Sequence, residues 1–130
     1  SVVVNVATLT GAGKVALGSH LGGMFSNHAP LAEKLRMQFY RGGDPVWNMP
    51  LYQKYRSSMG STFADMVNSV EVPFGGAITA ALFLESFIGE TPWAHFDIYA
   101  WKDSADGAWS EGGGSGQGVL GLAQWLGALR

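Results

Sequence analysis

The sequence contains no cysteine, which removes disulfides, zinc ribbons and thiol nucleophiles together. A small secreted scaffold stapled by disulfides is excluded with them. Charge is scarce as well: only 14% of the 130 residues are Asp, Glu, Lys or Arg, against roughly 25% in an ordinary soluble domain. Long apolar runs are missing; the longest, residues 77–84, contains Thr79 and is closed by Glu85, too short to span a bilayer. The N-terminus lacks the basic opening of a secretory signal. A net charge of −2 and a pI near 5.8 leave no electrostatic footprint for nucleic acid or an anionic membrane, so neither is expected as a partner.

What is present is one domain's worth of chain, 13.8 kDa and 47% apolar, enough for a real core. Little charge with much apolar surface implies either that part of the exterior is covered by other protein or that it is rich in Gly, Ser and Asn. The chain opens on Ser1 and runs directly into a core-like strand, which leads us to expect a piece of something longer. Val2, Val3, Val4 and Val6 are β-branched, stiff at χ1 and suited to a pleated backbone. Apolar residues on both alternate sets predict a central, parallel strand. Ligands in open α/β sheets gather beyond the carboxyl ends of strands, which points to residues 7–13.

Along the chain, residues 14–17 read as a short extended piece, and Gly22 with Gly23 as a loop. A helix follows, capped by Asn27 or His28, with Pro30 in its first turn and Leu31, Leu35 and Phe39 on one face; Gly42 and Gly43 end it. Two prolines make residues 44–51 a connector, and a second helix is expected over residues 50–59. Residues 77–88 are apolar nearly all round and predict a helix buried on most sides, closed by Gly89. Residues 93–101 alternate as a strand does, with Ala94 and Phe96 opposed to Trp93, His95 and Asp97. The Gly-rich stretch 111–118 resembles a linker, but it leads directly into Val119, Leu122, Ala123 and Leu126 at helical spacing, which makes it an internal loop. No internal repeat is visible.

Chemistry is hard to place on the residues alone. Gly11, Ala12, Gly13 and Lys14 after a strand suggest a phosphate loop, but Thr8 stands where its first glycine belongs and Val15 where Ser or Thr belongs. Gly114, Gly116 and Gly118 before the last helix offer an anion site at a helix N-terminus, or a simple turn. His95 and Asp97 share a strand face and have the spacing of a metal-ligand pair, but no third ligand is evident, and a hydrogen-bonded buried histidine is the commoner arrangement. His20 and His28 belong to no H-E-x-x-H pattern, and no G-x-S-x-G singles out a serine. Asp65, Asn68 and Glu71 read as structural polar contacts.

Several stretches, in order, resemble the C-terminal part of the leucyl aminopeptidase (cytosol aminopeptidase) family of two-metal exopeptidases. They are V-N-V-A-T-L-T-G-A at the start, G-D-P-V-W-N-M-P-L from Gly43, F-A-D-M-V-N from Phe63, G-G-A-I-T-A-A-L-F-L from Gly75, and W-A-H-F-D-I from Trp93. The resemblance implies an α/β fold, part of a three-layer sandwich with a mixed, largely parallel central sheet flanked by helices. It also implies that residues 1–130 are the C-terminal portion of a metalloaminopeptidase catalytic domain.

In that family an N-T-D-A-E-G-R-L segment, upstream of the strand resembled here, carries metal ligands and the arginine that holds a bicarbonate base; the catalytic lysine is upstream too. Neither occurs in this chain. The implied parent enzyme removes N-terminal amino acids from peptides by water activated at two divalent metal ions, zinc or manganese. The resemblance further implies a homo-hexameric, cytoplasmic parent. This chain is expected to hold no metal, to supply no catalytic residue and to be inactive alone. Thr8, Leu9 and Gly11 match substrate-pocket residues, with main-chain groups at Leu9 and Gly11 facing the bound amino acid. After Ile98 the chain departs from the family's D-I-A-G, reading Tyr99, Ala100, Trp101, Lys102. The other expectations kept open are a non-catalytic binding or assembly module of the same fold, and an unrelated α/β domain with an anion-binding Gly-rich loop.

Overall fold

The computed structural model describes residues 1–129. A four-stranded sheet has the order β1 (Val3–Ala7), β4 (Trp93–Asp97), β2 (Gly22–Ser26), β3 (Val46–Asn48). The pairs β1 with β4 and β2 with β3 are parallel, whereas β2 and β4 are antiparallel. The sheet is therefore mixed and mostly parallel, as expected. Helices α2 (Ala29–Arg41) and α4 (Val119–Gly127) cover one face, where Leu35, Phe39 and Trp125 meet Met24 and Phe96. Phe39 stacks on Phe96 with ring centroids 4.4 Å apart. On the other face α3 (Gly76–Glu85) packs Ala77 and Ala81 against Phe25 and Trp93, and α1 (Gly11–Leu17) lies beside it. All of β4 is buried, since both helical layers and two neighbouring strands enclose it.

The central position predicted for the first strand belongs to β4. Among the described residues β1 pairs with β4 alone and forms a sheet edge, with Val3 and Val6 each about two-fifths exposed. Apolar residues on both faces show that a strand suits burial; they do not say on how many sides this chain supplies a neighbour. Residues 14–17 are helical rather than extended, because Thr10 caps α1 by accepting from the Gly13 N–H. Gly22 and Gly23 lie in β2 rather than in a loop. A Cβ on Gly22 would come 3.2 Å from Ile98, a tight approach that favours glycine, whereas one on Gly23 would make only ordinary contacts, 3.5 Å from Leu17 and from the Asp97 carbonyl.

The helix read from His28 and Pro30 forms as expected, with the His28 imidazole accepting from the Leu31 N–H. The helix expected over residues 50–59 is a 3-10 helix over Gln53–Met59. α3 stops at Glu85 and leaves Phe87 exposed, so its burial is less complete than its composition suggests. β4 ends at Asp97, four residues short of the predicted strand; Trp101–Lys102 (β5) pairs instead with Gly113–Gly114 (β6) in a small antiparallel ribbon. The Gly-rich stretch is an internal loop.

Candidate functional site

At the carboxyl end of β1 the chain turns across the end of β4, and the Asp97 carboxylate holds the turn. Its side chain is nearly inaccessible. Oδ1 accepts the N–H groups of Leu9 at 3.0 Å and Thr10 at 3.1 Å, and Oδ2 accepts the Thr10 hydroxyl. Thr10 Oγ1 in turn accepts the Gly13 N–H at 3.1 Å and starts α1. One carboxylate thus supports both turn and helix, through charge-assisted bonds stronger than neutral ones. Gly13 allows the close approach: a Cβ there would lie 3.0 Å from Asp97 Oδ2.

This turn brings the three predicted substrate residues together. Thr8, Leu9 and Gly11 are all exposed and line one open depression of about 330 Å³, walled further by Lys14, Ile98 and Tyr99. Because the Leu9 N–H is engaged by Asp97, the main-chain group left at that position is the carbonyl. Leu9 and Thr10 also border a second depression of about 390 Å³, lined further by Met59, Val72, Thr79 and Phe83. The turn is common to both.

The polar edge of the first depression is built from residues that do not stand out in sequence. Lys14 Nζ sits 3.7 Å from the centroid of the Tyr99 ring and 3.6 Å from Asp103 Oδ2. The Tyr99 hydroxyl donates to Asp103 at 3.2 Å. Contact with Tyr99, reinforced by Asp103, raises the Lys14 pKa above its ordinary value, so the group is an ammonium at neutral pH. Tyr99 is anchored from behind: Gln117 Oε1 accepts the N–H groups of Tyr99 at 3.0 Å and Ala100 at 3.1 Å. Ala100 has φ 55°, a left-handed conformation uncommon for a residue with a Cβ.

His95 and Asp97, the candidate metal pair, have separate partners. The Asn5 carboxamide donates to His95 Nδ1 at 2.8 Å and accepts the Trp93 indole N–H at 2.8 Å, which places the imidazole proton on Nε2. Burial pushes the His95 pKa below its ordinary value, partly offset by Asp97 and Asn5. Among the described residues no three His, Cys, Asp or Glu side chains come together to hold a metal ion. His95 Nε2 is buried without a hydrogen-bond partner, but with Asp97 committed to the turn and no third ligand beside them the residues present do not fit a two-metal centre. The anion site considered at Gly118 is filled from within: Asp44 Oδ2 accepts the N–H groups of Gly118 at 2.7 Å and Gly121 at 3.2 Å, capping α4. The roles of Asp44, Asp97 and Lys14 are those that sequence reasoning missed. A small hint for Asp97 was its place at the end of a strand in which His95 is the only other polar residue.

Comparison with known proteins places these features in context. The probable cytosol aminopeptidase of Synechococcus sp. (strain CC9605) is 45% identical over 127 residues, covering 95% of this chain and 26% of the relative. The crystal structure of a cytosol aminopeptidase from Coxiella burnetii superposes with a TM-score of 0.88 at 39% identity, covering 98% of this chain and 28% of that one. The bottromycin maturation enzyme BotP, solved in complex with Mn, gives a TM-score of 0.91 at 38% identity over 98% of this chain and 29% of its own. The chain thus spans about a quarter of the length of the curated relatives it matches. The model of the cytosol aminopeptidase family, catalytic domain, matches residues 1–123. With nearly the whole chain matched by that model and the same fold in solved aminopeptidases, the chain belongs to the cytosol aminopeptidase family.

Proposed function

We propose that this chain is the C-terminal portion of a metalloaminopeptidase catalytic domain and supplies one wall of the pocket that receives the N-terminal residue of a peptide. The observation that carries this is the turn over Asp97, which presents Thr8, Leu9 and Gly11 together on an open depression at the end of β1. Family membership and a second depression that shares Leu9 and Thr10 support it, because both offer space beside the same turn. The chain's own contribution is positional. The carboxylate of Asp97 holds the turn, the Leu9 carbonyl and the Gly11 main chain offer polar groups to the terminal residue, and Ile98 and Tyr99 bound its side chain.

The divalent ions implied by the resemblance, zinc or manganese, would be held by upstream residues of the same protein, packed along the open edge of β1. Cytoplasmic location and a homo-hexameric parent are part of the same proposal. The low charge content supports covered surfaces, and the relatives' name of cytosol aminopeptidase supports the location.

The full-length protein is expected to hydrolyse leucine p-nitroanilide with manganese or zinc, while residues 1–130 alone do not. Turnover by the purified 130-residue protein, with contaminants excluded, would show that the chain needs no upstream ligands. Failure of the full-length protein with both metals would favour a non-catalytic module of the same fold.

A further inference from the structure

The depression beside Thr8, Leu9 and Gly11 is lined by one cation and otherwise by uncharged groups: Lys14 against Thr10, Ile98 and Tyr99. An ammonium has three N–H donors. The Tyr99 ring engages the charge through its face, and Asp103 at 3.6 Å lies beyond hydrogen-bond distance. Lys14 therefore has donors to offer a ligand, although its position is confined by the ring on one side and the carboxylate on the other. The Asp103 side chain is 70% exposed against 41% for Lys14, so its charge is the better screened by solvent. The backbone that carries the Tyr99 ring is held by Gln117, which accepts its N–H and that of Ala100, and by Ser115 N–H, which donates to the Ala100 carbonyl at 2.9 Å, while the Tyr99 hydroxyl donates to Asp103 at 3.2 Å.

We infer that Lys14, positioned by Tyr99, selects the N-terminal residue of the peptide, favouring a side chain that ends in a carboxylate over an aliphatic one of similar length. The inference rests on the aminopeptidase reading for the location of the terminal residue. A leucine side chain in this depression removes water from the ammonium and returns no acceptor, an unfavourable desolvation. A glutamate side chain replaces that water with a charge-assisted hydrogen bond. A lysine or arginine side chain meets a like charge. Asp103 competes with the incoming carboxylate for Lys14, so its removal strengthens the preference.

The test is calorimetric titration of L-glutamate and L-leucine into the full-length protein at low salt, for wild type, Lys14→Met, Lys14→Arg and Asp103→Asn. Wild type binds glutamate more tightly than leucine. Lys14→Met loses about tenfold in glutamate affinity, the scale of one hydrogen bond to a charged group, and binds leucine more tightly, because no ammonium is left to desolvate. Lys14→Arg retains the preference, and Asp103→Asn widens it. An unchanged glutamate affinity in Lys14→Met, tighter binding of leucine by wild type, or binding of neither amino acid overturns the inference. Hydrolysis of the two p-nitroanilides is measured separately: absent turnover of both counts against the aminopeptidase reading, while the binding ratio still decides the selectivity.

Discussion

Among single residues, Asp97 has the largest consequences. Its carboxylate serves two backbone N–H groups and the Thr10 hydroxyl in a site nearly closed to water. Asp97→Ala leaves those donors without a partner and should destabilise the domain by about 2–4 kcal/mol, given about 1–3 kcal/mol for each buried group left unsatisfied and partial relief by water. Urea denaturation checks this, and Asp97→Asn, which keeps one acceptor oxygen, should fall between. His95 gives a pH dependence of definite sign. Burial lowers its folded pKa below an unfolded value of about 6.5, so the unfolded chain binds more protons once the pH drops past that point. Its contribution is fully present above about pH 6.5 and declines toward acid by at most about 1.4 kcal/mol per pH unit, levelling off below the folded pKa. Denaturation midpoints between pH 8 and 5 should show this component, and it should vanish in His95→Gln. From sequence, His95 and Asp97 form a same-face pair; their separate engagements with Asn5 and the Leu9–Thr10 turn were not legible, because both partners lie about ninety residues away.

The crossing of α2 and α4 depends on a missing side chain. A Cβ on Gly121 would sit 2.3 Å from the Phe39 ring, and Phe39 is clamped against Phe96. Gly121→Ala should therefore cost about 1–3 kcal/mol through overpacking, despite alanine's better helix propensity. Thermal denaturation of the variant tests it, and a gain in stability would mean that the two helices can move apart. The helices themselves differed in legibility. α2 could be read because His28, Pro30 and a 3.6-residue apolar period are local signals. α1 could not: it has seven residues, and its cap is held in place by a carboxylate from another strand. β2 was hidden for a related reason, since Gly22 and Gly23 argue against a strand until its pairing with β3 and β4 is known.

For the whole molecule, the helical layers enclose β4 while β1 keeps one edge open among the described residues. On the proposed function, in which this chain supplies only a wall of the pocket and the metal ligands lie upstream, residues 1–130 are expected to show no turnover alone in the p-nitroanilide assay described above. By itself, the sequence determined the α/β class, the start of α2 at Asn27 or His28, the internal nature of the Gly-rich loop and, through ordered motifs, the aminopeptidase resemblance. Each is carried by residues close together in the chain or by short runs compared one at a time. Only the tertiary structure decided that β4 is the enclosed strand, that Asp44 fills the N-terminus of α4, that Asp97 builds the turn, and that Lys14 and Tyr99 border Thr8, Leu9 and Gly11. Those outcomes depend on hydrogen bonds and packing between segments far apart in sequence, where spacing carries no signal and a single buried carboxylate can settle the local conformation.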